Sequence, residues 1–398
     1  MNGPAVTGPF GLGMALAERE LAGLLRNRIA TYGASGGRLR VAGRDYLNFS
    51  ANDYLGLADH PAIKAAFNTG IERYGAGAGA SPLVTGYSRA HQELEETLAD
   101  WLGVEAVLLF NCGFSANQAV LKALLGKEHL LWQDKLNHAS LQEMGSQLPC
   151  KMKRFGHNDM AALERQIEPN RGLIVSEGVF SMDGDQAPWG ELAALAARSG
   201  NWLMIDDAHG LGVLGPEGRG TLAAQGVDPA SVHIQMGTFG KALGIAGAFV
   251  GGSRELVEYL VNFARHYVYS THMPAAQACA VSKSIELVRA ADEARAHLGK
   301  LIARFRQGAE GQGWQLGVSS TPIQPLLVGE SSAALQLAER LRDRGVWAGA
   351  IRPPTVPVGT ARLRITLSAA HREQDVDRLL DALGACPAEA TVGEARHG

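Results

Sequence analysis

From about residue 51 to about residue 281, short apolar runs alternate with stretches of helical periodicity, and that alternation leaves the chain very few folds. An unbroken apolar run reads as a strand buried on both faces, and a helix between successive runs supplies the cover. Leu173-Ile-Val-Ser-Glu177, a loop, a helix over Glu191 to Ser199, a stop at Gly200 and then Trp202-Leu-Met-Ile-Asp206 spell one βαβ crossover. A second strand, Ala106-Val-Leu-Leu-Phe110, precedes a helix with apolar residues at 116, 119, 120, 123 and 124. The spacing predicts an α/β fold, a mostly parallel sheet between layers of helices.

The flanks differ in texture. Residues 14–30 read as helical and 38–50 as a hairpin, with Arg38-Leu-Arg-Val41 and Tyr46-Leu-Asn-Phe49 either side of the turn Ala42-Gly43-Arg44. After residue 282 helices alternate with a few strands. One helix carries Ala334, Leu337, Ala338 and Leu341 on one face and ends at Gly345; one strand sets Leu363, Ile365 and Leu367 against Arg362, Arg364 and Thr366. The expected division is an N-terminal segment over 1–50, a large domain over 51–281 and a smaller α+β domain over 282–398. Gly3–Gly13 and Thr391–Gly398 are expected to fray.

With 46% hydrophobic and 19% charged residues and a net charge of −3, the 398-residue chain carries neither a disordered composition nor the basic footprint of nucleic-acid binding. No apolar run is long enough to span a membrane and no signal sequence opens the chain, so the cytoplasm is the expected location. Cys112, Cys150, Cys279 and Cys386 are scattered without a CxxC pair and read as reduced thiols.

The chemistry concentrates at two places. Trp202-Leu-Met-Ile-Asp-Asp-Ala-His209 is a buried strand ending in two carboxylates and an imidazole, where open α/β sheets bind ligands. Met236-Gly-Thr-Phe-Gly-Lys-Ala-Leu-Gly244 places Lys241 among glycines and beside Thr238, 241 − 206 = 35 residues beyond Asp206. A lysine to carry an aldehyde as a Schiff base and a carboxylate to keep a pyridine nitrogen protonated are the two groups that pyridoxal 5'-phosphate requires. Ser115 and Gln118 have capping-box spacing, and Gly113 leaves room for an anion over the free amides of that helix start. His138, in Leu136-Asn-His-Ala-Ser140, offers a flat imidazole to stack on a pyridine ring.

Competing motifs fail on detail. Lys241 is followed by Ala242, whereas a phosphate loop needs Ser or Thr there to ligate magnesium. Gly75-Ala-Gly-Ala-Gly79 lacks the GxGxxG spacing, and Gly86-Tyr-Ser-Arg-Ala90 lacks the last glycine of a hydrolase elbow. Asp206, Asp207 and His209 have no second ligand pair at metal-site spacing. A non-catalytic binding protein on the same fold would need an added module, and none is present.

Six runs together carry a resemblance: Tyr46-Leu-Asn-Phe-Ser-Ala-Asn-Asp-Tyr-Leu-Gly-Leu57, Gly113-Phe-Ser-Ala-Asn117, Glu177-Gly-Val-Phe-Ser-Met-Asp-Gly184, Asp206-Asp-Ala-His-Gly210, Thr238-Phe-Gly-Lys241 and Ile351-Arg-Pro-Pro-Thr-Val-Pro357. On these the chain resembles the α-oxoamine synthases, a family of fold-type I pyridoxal phosphate enzymes. The resemblance implies a transferase whose large domain holds a mostly parallel seven-stranded sheet, with a smaller α+β domain after it. It implies that Lys241 carries the cofactor, Asp206 holds the pyridinium, His138 stacks on the ring and His209 bonds the phenolic oxygen. Gly113, Phe114, Ser181 and Thr238 would contact the cofactor. Ser270 and Thr271 would reach a neighbouring subunit's phosphate, which implies a homodimer. Arg26, or Arg28 in its place, Asn52, Thr355 and Arg364 would contact substrates, Arg364 through the amino acid carboxylate. One departure is Gly79-Ala-Ser-Pro-Leu83, with a proline where relatives carry none. Within the family, the runs at 46–57 and 351–357 favour joining L-alanine to a pimeloyl thioester, pimeloyl-CoA or pimeloyl-acyl carrier protein, in biotin biosynthesis over joining glycine to acetyl-CoA. Lys241, displaced by L-alanine, would then take the Cα proton, its pKa lowered by desolvation and a cationic neighbour.

Overall fold

The computed structural model describes residues 10–33 and 36–386. Of the ends expected to fray, residues 3–9 and Thr391–Gly398 lie outside the described residues, while Leu12 and Gly13 already belong to a helix. That helix runs Leu12–Leu21 and stops well short of residue 30. Gly23, at φ +64°, turns the chain, and the helix buries no residue that would reward extension. Leu24 and Leu25 keep the apolar spacing but lie beyond the helix in chain without regular secondary structure.

β1 (Arg38–Val41) and β2 (Arg44–Asn48) form the expected hairpin, paired from Arg38↔Leu47 to Val41↔Arg44. Its turn is two residues, not three. Ala42 at φ 48° and Gly43 at φ 80° both take the left-handed conformation that suits a tight hairpin, so Arg44 is already in the strand.

The large sheet contains β3 (Ala106–Phe110), β4 (Leu130–Asp134), β5 (Lys151–Phe155), β6 (Gly172–Glu177), β7 (Trp202–Asp206), β8 (Ile234–Thr238) and β9 (Ala248–Gly252). Their order is β3-β9-β8-β7-β6-β4-β5, with β4 to β8 parallel and β9 antiparallel to both neighbours. Alternate residues of one strand feed opposite layers: Leu173 and Val175 pack under the helix Gly113–Leu124, Ile174 against the helix Trp189–Ser199. That two-sided burial is why the strands read as unbroken apolar runs. The five parallel strands end on one edge, where Asp134, Phe155, Glu177, Asp206 and Thr238 are their last residues.

A second sheet, order β10-β13-β12, follows from β10 (Ile323–Gly329), β12 (Gly349–Ile351) and β13 (Ala361–Thr366), and β11 (Val346–Trp347) lies between the first two in sequence. β11 pairs in parallel with β2, so the N-terminal hairpin is completed by a strand from near the other end of the chain. The helix Ser331–Asp343 buries Ala334, Leu337, Ala338 and Leu341, as the periodicity predicts. No helix among the described residues is long and apolar enough to cross a membrane.

Candidate active site

A cavity of about 170 Å3 opens at the carboxyl edge of the large sheet, lined by Gly113, Phe114, Asn117, His138, Glu177, Asp206, Ala208, His209, Met236, Thr238 and Lys241. Most of these groups sit at or just beyond a strand end, or in the first turn of a helix. Asp206 closes β7 and is almost wholly buried; Asn117, one turn into its helix, donates to Asp206 Oδ2 at 2.7 Å, and the Ala208 amide donates to Oδ1 at 3.1 Å. The other amide hydrogen of Asn117 goes to Ser140 Oγ at 2.9 Å.

His138 caps the helix Ala139–Gln147, its Nδ1 accepting from the Ser140 amide at 3.3 Å and lying 2.9 Å from Ser140 Oγ. Desolvation lowers its pKa against the opposing pull of Asp206. The ring is favoured in its neutral form and lines the cavity, with the Phe114 ring roughly perpendicular to it at 6.3 Å. His209 is driven well below its ordinary value by burial and by the charges of Lys241 and Arg364; its Nδ1 lies 2.6 Å from the Tyr54 hydroxyl.

Lys241 follows β8 in a tight turn, its carbonyl accepting from Gly244 N at 2.8 Å. Desolvation brings its ammonium down to about 8, with Asp206 and Glu177 resisting the change. Glu177, at the end of β6, is pushed well above the carboxylate range by burial and by the Asp206 charge. Behind the cavity, Thr221 donates its amide and hydroxyl to Asp207 at 2.7 and 2.6 Å.

The helix behind Gly113 starts differently from the sequence expectation. Cys112 is the N-cap and makes no side-chain cap bond, while Ser115 sits one turn in and donates back to the Cys112 carbonyl at 2.9 Å. The capping box is therefore absent, because Ser115 lies three residues past the N-cap, inside the helix. The first intrahelical bond runs from Ala116 N to Cys112 O, which leaves the amides of Gly113, Phe114 and Ser115 without helical partners. Thr238 lines the cavity, and its hydroxyl donates to the Gly247 carbonyl at 2.8 Å.

Arg364, Asn52 and Ser181 form a second cluster joined to the first. The Arg364 guanidinium donates to Ser181 O at 2.6 Å, to Asn52 Oδ1 at 3.1 Å and to the Tyr54 hydroxyl at 3.5 Å, and Tyr54 reaches His209. Arg362 on the same strand pairs with Asp183, whereas no carboxylate pairs with Arg364 among the described residues. A buried guanidinium without a counter-ion is suited to an anionic ligand.

Four expected residues lie elsewhere. Arg26 and Thr355 line a separate cleft of about 710 Å3 beside β12, together with Arg19, Arg342 and Arg352; Arg28 is exposed and does not line it. Ser270 and Thr271 are outside both cavities, and the Thr271 carbonyl accepts from Asn111 at 2.8 Å. Asn117, Tyr54, Glu177 and Ser140 were not singled out from the sequence. Each lies in a run quoted above, but only the fold shows what its side chain touches.

A family model for class I and II aminotransferases matches residues 44–383. The chain belongs to this family. It is similar to the 8-amino-7-oxononanoate synthases of Aeromonas hydrophila subsp. hydrophila, at 88% identity, and of Aeromonas salmonicida, at 86%, each over 100% of both chains. Among solved structures it is similar to a serine palmitoyltransferase from S. paucimobilis with bound PLP-myriocin aldimine, at 27% identity and a TM-score of 0.88 over 94% of this chain and 96% of that one. The fold is that of the fold-type I pyridoxal phosphate transferases, as the sequence resemblance implied.

Proposed function

We infer that this chain is an 8-amino-7-oxononanoate synthase, a pyridoxal phosphate-dependent acyltransferase that condenses L-alanine with a pimeloyl thioester and releases CO2. The observation that carries this reading is the convergence of Lys241, Asp206, His138 and His209 on one cavity, in a chain 88% identical from end to end to a synthase of that name. Condensation of glycine with acetyl-CoA is not favoured by these relatives.

The lining residues suit the cofactor. They combine an amine withdrawn from water, a buried carboxylate and three helix-start amides fit for a phosphate, and Asn117 Oδ1 and Glu177 Oε1 are buried without partners. Bound here, pyridoxal phosphate supplies an aldehyde for an amino group and a protonated ring that accepts the electron pair left at the amino acid's Cα. Asp206 holds the proton on the ring nitrogen, and Asn117 fixes Asp206 by donating to Oδ2. The neutral His138 ring covers one face. Arg364 takes the alanine carboxylate, which fixes the orientation of the Cα–H bond. Lys241 Nζ, with its pKa near 8, is poised to remove that proton and to return one after CO2 has left.

The active unit in this reading is a homodimer. Its support is that Ser270 and Thr271 lie outside their own chain's cavity and follow directly on exposed Tyr269. Pimeloyl-CoA and pimeloyl-acyl carrier protein both fit the thioester required, and Arg26 and Thr355 in the arginine-lined cleft are its proposed contacts.

Purified protein is expected to take up pyridoxal phosphate with a yellow absorbance that borohydride traps, and Lys241→Ala to lose the trapped adduct. A colourless wild type after cofactor addition would refute the reading. Turnover only with glycine and acetyl-CoA would refute the substrate assignment while leaving the cofactor in place.

A further inference from the structure

His157 stands between two carboxylates and outside the cavity. Its Nδ1 lies 3.1 and 3.2 Å from the two oxygens of Asp134, the last residue of β4, and its Nε2 lies 2.7 Å from Asp185 Oδ2. A neutral imidazole has one N–H, so facing an acceptor from both nitrogens requires the imidazolium. Burial opposes that charge, but the two carboxylates overcome it and hold the ring at about 10. Asp134 is fully buried and also accepts from the Leu136 and Asn158 amides, each at 2.8 Å, so this end of the bridge is anchored to the sheet.

The other end is a turn. Val179 and Gln186 pair as an isolated bridge, Gly184 N donates to Phe180 O at 2.8 Å and Phe180 N to Asp185 O at 2.9 Å, so residues 179–186 form a closed hairpin-like loop. His157 packs edge-on against Phe180 at 4.4 Å. Asp185 Oδ1 is buried without a partner, which leaves Oδ2, shared by His157 and Asn158, to tie that carboxylate down. The same loop meets the smaller sheet: Ser181 O takes the Arg364 Nε proton, Asp183 pairs with Arg362, and Gly184 O accepts from Ser319 and Thr321 at 3.0 and 2.9 Å.

We propose that His157 is a positioning residue for amino acid binding: as a cation bridging Asp134 and Asp185 it fixes the loop 179–186, and through Ser181 O that loop sets the direction of the Arg364 guanidinium. The proposal rests on the reading of Arg364 as the carboxylate anchor. Loss of the bridge releases one side of the loop while Lys241, Asp206 and His138 keep their own partners, so the defect belongs to the amino acid and not to the cofactor or the thioester.

The test compares His157→Gln and Asp185→Asn with wild type and Arg364→Lys as cofactor-loaded enzymes, varying L-alanine and pimeloyl-CoA separately. The expected result is a KM for alanine raised about tenfold or more in both loop variants, with the pimeloyl-CoA KM and kcat changed by less than about threefold. Asp185→Asn carries the same test if His157→Gln does not fold. An unchanged alanine KM in folded loop variants, where Arg364→Lys raises it, overturns the proposal, as does an equal rise in both KM values. If Arg364→Lys itself leaves the alanine KM unchanged, the reading of Arg364 fails and takes this one with it.

Discussion

Asn117 shows how much of the site's chemistry rests on one neutral side chain. Both of its amide hydrogens are committed, one to Asp206 and one to Ser140, and Ser140 in turn contacts His138. Asn117→Ala leaves Asp206 with one donor fewer and should cost about 1–3 kcal/mol of stability together with weaker cofactor binding, measured by urea unfolding and by titration of the absorbance. Asn117→Asp is the harsher change, because it sets a second carboxylate where a donor stood 2.7 Å from Asp206. Its cofactor affinity is expected to fall further than that of Asn117→Ala; equal affinities would mean that the charge at Asp206 is not what Asn117 serves. Lys241 and Asp206 were legible in the sequence because each has a rare job and sits in a telling run. Asn117, Tyr54 and Glu177 were not, since an amide, a phenol or a carboxyl has many ordinary uses. Their partners lie far off in sequence: 89 residues separate Asn117 from Asp206 and 155 separate Tyr54 from His209.

Elements were legible where a single rule governs them. The strands of the large sheet announce themselves because burial on both faces demands apolar residues at most positions, and the crossover from β6 to β7 has its Gly200 stop where the sequence places it, although its helix starts two residues earlier than expected, at Trp189. Helix ends and turns were read less well. The helix expected over 14–30 keeps an apolar rhythm through Leu24 and Leu25, but Gly23 breaks it; Ser115 has capping spacing, but the chain enters the helix three residues earlier, at Cys112. In the β1–β2 hairpin, Ala42 occupies a left-handed position that costs an L-residue roughly 1 kcal/mol. Ala42→Asn creates the Asn-Gly pair that such turns prefer and should stabilise the protein by about 0.5–1 kcal/mol without changing kcat. No gain in the urea midpoint would show that this turn bears no strain that limits stability.

The whole molecule joins two sheets through a polar seam, where Arg362, Arg364, Ser319 and Thr321 of the smaller part grip the loop 179–186 and His157 ties that loop to the larger one. Buried titratable groups at this seam and elsewhere give the fold a pH signature. His157 titrates at about 10 against its ordinary 6.5, so the stability it contributes is complete below 6.5 and is lost as pH rises through 10. Glu95 and Asp207, both raised to about 7 by burial, act at lower pH: the folded state keeps protons that the unfolded chain releases, so stability falls from the ordinary carboxylate range up to about 7 and little further. Lys241 works the other way in cofactor-free protein, since its lowered pKa makes stability rise from about 8 towards its ordinary 10.5. Between about pH 7 and about pH 8, then, His157 by itself contributes a loss of about 1 kcal/mol of stability per pH unit in the cofactor-free protein. His157→Gln has no proton to lose in that window, so its urea midpoint should fall less steeply with pH than the wild-type midpoint, or rise, while every other group contributes equally to both. Parallel slopes in the two proteins would mean that the imidazole is not held as a cation between Asp134 and Asp185, and the bridge across the seam would have to be a neutral one.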